Sequence, residues 1–193
     1  MTFHGKAKVH QLMDWGRCSG LSTFCTPALI LLSGCTTAPE EKLQQAAADG
    51  NLLRVETFLG QGVGVQAAHA RGMTPLLLAV KNGHREVVAL LLDQGAAVNQ
   101  RRTDGMTPLS LAMQQGHRDV VTLLLNKGAD VNGQVRMGGV TLLHVGAYRG
   151  DQTIIELLLK HGGDKNARLS TGERPVDLAL QQGHTALVPL LEP

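Results

Sequence analysis

Histidines give this sequence its clearest opportunity for chemistry, since imidazole is a common zinc ligand. Six histidines follow residue 36, and His84, His117 and His184 stand at the same position of a repeated pattern. Structural units that stack lie about 8 to 10 Å apart, whereas ligand nitrogens lie about 2 Å from a single zinc ion. Histidines from different copies therefore cannot share an ion, and we expect neither a metal nor a cofactor.

Nucleophilic catalysis and phosphate binding have weaker signals. Ser110, Thr141 and Ser170 carry hydroxyl groups, but no base and carboxylate stand at a recognisable spacing from them. The segment GQGVG at 60–64 has the glycines of a phosphate loop, yet it follows a helical pattern and no Lys-Ser or Lys-Thr pair comes after it. We therefore predict a loose turn there and a protein that is not an enzyme, with a hydrolase or metal enzyme as the disfavoured alternative.

Cys35 is a further candidate for chemistry, because a thiol can be alkylated. It ends the stretch PALILLSGC, and the apolar run LSTFCTPALILL at 21–32 follows Arg17. A run of about 12 residues falls within the roughly 7 to 15 of a secretory leader and short of the ~20 that span a bilayer. The sequence therefore predicts a signal peptide over 1–34, whose true start is either Met1 or Met13.

The four residues that end at Cys35, LSGC, resemble the lipobox of bacterial lipoprotein precursors, in which the cysteine receives lipid and becomes the new N-terminus. The resemblance implies a lipidated tether over 35–40 that anchors the protein to a membrane, because two or more acyl chains make such anchoring stable. Thr36, in place of an aspartate, favours the outer membrane, facing the periplasm, over the inner membrane. A buried helix that happens to end in SGC is the alternative.

Charge and cysteine content narrow the remaining functions. The chain carries 18 Lys and Arg against 16 Asp and Glu, and the whole excess lies before residue 36. Residues 36–193 are balanced, which gives no support for nucleic-acid binding. All three cysteines lie at or before Cys35, so the rest of the chain can form no disulfide and must be held together by packing.

A repeat of 33 to 34 residues supplies the elements that must position these side chains. Each copy is marked by a glycine, and the copies are numbered one to five by Gly50, Gly83, Gly116, Gly150 and Gly183. In copy three, Thr107 is a good N-cap, and Pro108 is suited to the first helical position. Gly116 can end that helix in the left-handed conformation before a second apolar helix follows. Each copy is therefore a helical hairpin that buries its surface only by stacking on its neighbours.

GMTPLLLAVKNGHREVVALLLDQGAAVN at 72–99 and GMTPLSLAMQQGHRDVVTLLLNKGADVN at 105–132 resemble the ankyrin repeat. The resemblance covers 41–193 and implies an all-α solenoid of about four full repeats plus a short C-terminal cap. It implies that the histidine after each marker glycine bonds local backbone and that His144, in the T-P-L-H position, is structural. It also implies a concave surface, made of turns and first helices, that binds a partner protein.

Basic side chains are concentrated at the positions expected to face that surface, with apolar anchors among them. The partner-binding residues that we predict are Arg71, Lys81, Arg101, Arg102, Asp104, Met106, Arg136, Met137, Tyr148, Arg149 and Arg168. They favour an acidic protein partner of a chain that is monomeric when unbound. A solvated face with a random charge asymmetry is the alternative.

Two functions fit these features. The first is a membrane-anchored adaptor, inhibitor or immunity-type binder of a periplasmic protein. The second is an envelope stress-protection scaffold that supports a periplasmic enzyme such as a catalase. The repeats also predict local differences, with Leu142 and Gly146 replacing the usual proline and alanine in copy four. An extra glycine in RMGGV at 136–140 should make that turn the most mobile, and Pro189 should shorten the last helix.

Overall fold

A computed structural model describes residues 38–68, 72–133, 135 and 138–192, and in this part of the chain it confirms the predicted all-α solenoid of stacked hairpins. Each copy contributes a first and a second helix. The first helices are α1 (Pro39–Ala48), α3 (Pro75–Asn82), α5 (Pro108–Gln115), α7 (Leu142–Arg149) and α9 (Pro175–Gln181). The second helices are α2 (Leu52–Gly60), α4 (Arg85–Asp93), α6 (Arg118–Asn126), α8 (Gln152–Lys160) and α10 (Val188–Leu191), the last preceded by a 3₁₀ turn at Thr185–Leu187.

Local chemistry sets the bounds of the helices in the middle copies, as the sequence predicts. The Thr107 hydroxyl accepts the backbone N–H of Ser110 at 3.2 Å, and Pro108 follows at the first helical position. Gly116 ends α5 with φ of 79°, in the left-handed region that favours glycine. Thr74, Pro75 and the marker glycine do the same for α3.

One row of buried residues runs through all five copies and forms the centre of the core. Its members stand seven positions before each marker glycine, and they are Leu43, Leu76, Leu109, Leu143 and Val176. Each of them is at most 4% exposed, although each belongs to a different hairpin. The core is therefore built by stacking one copy on the next, which is why a single copy could not hold its fold.

The two ends of the stack differ from the middle copies. Helix α1 begins at Pro39 without a side-chain cap, two residues before the predicted start of the repeats at 41. The predicted short last helix is confirmed, yet Leu187 and Leu191 of this region are still buried. Cys35 and the predicted leader lie outside the described residues. None of the described helices is long and apolar enough to cross a membrane.

Candidate functional site

A cavity of about 370 Å³ opens on the face formed by the first helices and turns of copies three to five. We call it the junction cavity, and its lining includes Met106, Met113, Val140, Val145, Tyr148 and Arg149. Most of its lining side chains are apolar. Tyr148 stands at its edge with 57% of its surface exposed, which is unusual for an aromatic residue. An open apolar cavity beside an exposed aromatic ring is suited to receiving part of another molecule.

The cavity lies where copies three and four stack less closely than other neighbours. Helices α3 and α5 pack along each other, as do α7 and α9, whereas α5 and α7 make few direct contacts. The turn after copy three is one residue longer, and its Gly138 carbonyl accepts the N–H of Ser170 in copy five at 2.8 Å. The junction cavity thus lies where α5 and α7 are weakly packed.

The turns that follow the second helices are joined by the same hydrogen bonds at this junction as at the previous one. Asn132 donates to the Gly162 carbonyl at 3.0 Å and accepts the N–H of Asp164 at 2.9 Å. Asn99 makes the equivalent pair of bonds one copy earlier. The asparagine bonds between turns are thus kept at this junction, although α6 packs less closely on α8 than on α4.

The structure brings together some of the predicted partner-binding residues. Met106, Tyr148 and Arg149 line the junction cavity, whereas Lys81 and Arg101 are exposed on copies two and three and do not line it. Arg71, Arg136 and Met137, which belong to the same prediction, lie outside the described residues. The predicted apolar anchors Met106 and Tyr148 therefore belong to one site.

Several of the predicted basic residues already have partners within the chain. Arg102 forms an ion pair with Asp104 at 2.7 Å, which offsets its charge. Arg168 donates to the Gly172 carbonyl at 2.8 Å. Arg149 donates to the carbonyls of Met113 and Gln114 at 2.7 and 3.4 Å. The net positive charge of this face is therefore smaller than the number of basic residues indicates. Some of these side chains are also fixed by hydrogen bonds within the chain.

The histidines after the marker glycines have a role that differs from the local one predicted. The Nε2 atoms of His84, His117 and His184 bond carbonyls of the preceding copy, those of Ala48, Lys81 and Tyr148, at 2.8 to 3.3 Å. Each ring also lies against the marker glycine of the preceding copy, where a Cβ would come within 2.5 to 2.7 Å of it. The prediction of local bonding was wrong, because the partner lies 36 residues away in the chain.

Copy four lacks this histidine, and Asp151 stands in its place. A Cβ at Gly116 would accordingly meet nothing within 4 Å. Asp151 instead forms an ion pair with Arg118 at 2.9 Å, and Arg149 donates to two carbonyls at the end of α5. This difference is visible in the sequence as Gly150-Asp151, where copies two, three and five have Gly-His, but its meaning depends on contacts between copies.

The groups that could have supported catalysis are engaged in helix capping. Thr141 donates its N–H to Nδ1 of His144 at 3.2 Å, and Nε2 of this imidazole bonds the Glu173 carbonyl at 3.3 Å. Burial lowers the pKa of His144, so that it is neutral near pH 7. The Ser110 hydroxyl likewise accepts the N–H of Thr107 at 2.9 Å. These contacts give His144 and Ser110 the same structural task in successive copies.

Neither metal nor phosphate binding finds support among the described residues. No three His, Cys, Asp or Glu side chains of the described chain are grouped so that they could hold a metal ion. The GQGVG segment closes α2 at Gly60 and turns at Gly62 with φ of 84°, whereas a phosphate loop opens a helix. The predicted turn at this segment is confirmed.

Comparison with known families agrees with this architecture. Residues 43–135 match the family model for ankyrin repeats in three copies, and residues 138–169 match the model for an ankyrin repeat. No curated protein matches the chain. The two matched ranges meet at the turn between copies three and four, where the stacking is loosest.

Proposed function

The chain belongs to the ankyrin-repeat proteins, and from this premise we propose that it is a lipid-anchored adaptor, inhibitor or immunity-type binder in the bacterial cell envelope. Ankyrin repeats form protein interaction modules and are typically not enzymes. The observation that carries the binding role is the exposed Tyr148 ring beside the apolar junction cavity. Tyrosine is among the residue types enriched at the hot spots of protein interfaces.

The anchoring part of the proposal is supported by the lipobox resemblance of the residues that end at Cys35. Lipid on this cysteine would hold the repeats at the outer membrane, facing the periplasm, through a short polar tether. Cys35→Ala should abolish membrane association and incorporation of labelled palmitate without unfolding the repeats. Cys25→Ala is the matched control, since it lies within the predicted leader but outside the lipobox. A Cys35→Ala protein that still pellets with outer membranes would refute the anchoring.

The binding part is tested by crosslinking in the native envelope followed by mass spectrometry. Tyr148→Ala should remove the captured protein, because it deletes the exposed ring at the cavity, with an expected loss of ~1 to 3 kcal/mol in binding free energy. Leu53→Ala is the control, since Leu53 is 75% exposed on α2 of copy one, outside the cavity lining. Equal capture by both variants would contradict a site at copies three to five. Identification of a periplasmic enzyme such as a catalase as the partner would favour the scaffold function instead.

A further inference from the structure

We propose that the junction cavity receives one bulky apolar side chain from an extended segment of the partner, with a neighbouring carboxylate of that segment facing Arg149. The inference rests on the proposed binding function and defines the chemistry of its site. In this proposal, the partner is recognised at the weakly packed junction between copies three and four.

The position of the cavity indicates that it is an interruption of the stack. At the junctions before and after it, a histidine ring lies against a marker glycine, but no ring covers Gly116, which lines a separate small cavity of about 40 Å³ with Gly146 and Asp151. Helices α5 and α7 lack the close packing of α3 and α5, although the asparagine bonds on the other side are intact. A side chain that enters the junction cavity would occupy space left by the weak packing of α5 on α7.

The interior of the cavity selects an apolar occupant. The polar groups among its described lining include Ser110 and His144, and both are already hydrogen bonded within their capping boxes. Met106, Met113 and Val145 present carbon and sulfur surface to the same space. A polar ligand would lose hydrogen bonds to water and find few new ones here, whereas a leucine or phenylalanine side chain would lose nothing.

The size of the cavity limits the occupant to a side chain or two. Its volume of about 370 Å³ is near the lower end of the roughly 300 to 1,000 Å³ of pockets that take small molecules. A packed helix would need a longer groove. An extended segment that inserts a single side chain therefore fits the space best.

Arg149 indicates which charge the bound segment should carry near the cavity. It is the one permanently charged side chain among the described residues that line the cavity. Its bonds to the Met113 and Gln114 carbonyls fix the guanidinium at the rim but use only part of its five N–H donors. The remaining donors suit a carboxylate, which a guanidinium binds more strongly than a neutral acceptor.

The test uses N-acetyl-L-phenylalanine as a probe, since it combines a phenyl ring with a carboxylate, and N-acetyl-L-phenylalaninamide as its neutral counterpart. The repeat domain within the full chain is titrated and followed by backbone amide shifts up to about 10 mM, which saturates a site of millimolar Kd. Saturable shifts should centre on Val140, Val145 and Tyr148, and the acid should bind at least threefold more tightly than the amide. Shifts elsewhere only, or no saturation, would overturn the proposal.

Two variants separate the cavity from the charge. Val145→Phe fills the cavity and should weaken binding of both probes at least fivefold, whereas Leu78→Phe, at the equivalent position of copy two, should leave it unchanged. Arg149→Gln should remove the preference for the acid. Equal binding to Val145→Phe and the parent, with unchanged circular dichroism, would overturn the proposal. Because the probes need no partner, this outcome is independent of whether crosslinking captures one.

Discussion

Two neighbouring junctions of this solenoid are held together by different contacts. Between copies two and three, the His117 ring covers Gly83 and bonds the Lys81 carbonyl, and α3 and α5 pack closely. Between copies three and four, no ring covers Gly116, and α5 and α7 barely touch. The long side chain of Arg149 bridges the second junction in place of the ring.

The difference shows how a repeat protein can acquire a site without leaving its fold. At the first junction an imidazole ring lies directly against the neighbouring copy. At the second, the long side chain of an arginine reaches the neighbouring copy across an open space. The hydrogen bonds to the end of α5 are preserved in kind, but the space between the helices is not filled. The missing histidine and the longer turn of copy four thus occur at the same junction as the cavity.

The largest expected effect comes from removing core volume beside the tight junction. Leu124→Ala should lower the free energy of unfolding by ~2 to 5 kcal/mol, because the side chain is fully buried in α6. Leu190→Ala should cost much less, since Leu190 is only partly buried in the last helix. Urea melts compare the two, and equal losses would contradict the picture of a well-packed centre and a short end.

Hydrogen exchange on Leu124→Ala sharpens the comparison of the junctions. Helix α6 packs on α4 more than on α8, so protection should fall in copy two more than in copy four. Equal loss of protection on both sides would mean that copies three and four are coupled as strongly as copies two and three.

The next effect isolates the histidine stack through two equivalent glycines. Gly83 and Gly116 have φ of 77° and 79°, so alanine at either position meets the same left-handed strain of about 1 kcal/mol. At Gly83 the new Cβ would also lie 2.7 Å from the His117 ring, whose displacement should cost about another 1 kcal/mol through its lost bond. Thermal melts of Gly83→Ala in a His117→Ala background provide the control, since the extra cost should disappear there.

These residues also show how far the sequence could be read alone. Thr107, Pro108 and Gly116 act through bonds within one hairpin, so their residue types were sufficient to predict the helix bounds. The histidines and Arg149 act between copies, and their partners lie 35 or 36 residues away. Their types were visible, but their contacts depend on how the helices stack, which propensity does not determine. The cavity was beyond prediction for the same reason.

A smaller effect concerns the pH dependence of stability, through His144 in the lining of the junction cavity. Burial lowers the pKa of His144 below its usual 6.5, so the folded state binds fewer protons than the unfolded state below that value. The stability of the parent should therefore be full above pH 6.5 and fall as the pH drops below it. His144→Ser, which copies Ser110 of copy three, should show a shallower fall between pH 7.5 and 5 in urea melts. Parallel curves would contradict this.

The smallest expected effect tests whether two changes of side-chain volume within copy four compensate for each other. Copies two and three have an alanine and a valine at two equivalent positions, Ala79 and Val88 in copy two, and both side chains are fully buried. Copy four has Gly146 and Ile155 at these positions, so one side chain has lost a methyl group and the other has gained one. A Cβ at Gly146 would lie 3.1 Å from Cγ1 of Ile155, which is tight contact.

A double-mutant cycle separates this exchange of volume from the general effects of each substitution. Gly146→Ala gains about 1 kcal/mol of helix propensity but crowds Ile155, so alone it should change stability little. Ile155→Val alone should cost about 0.5 to 1.5 kcal/mol. Together they restore the pair found in copies two and three, and the double variant should be more stable than the sum of the singles by about 0.5 to 1 kcal/mol. Additive values in urea melts of the four proteins would mean that the two exchanges are independent. A positive coupling would mean that the two exchanges compensate for each other within copy four. The missing histidine and the longer turn would then be the remaining differences at the open junction.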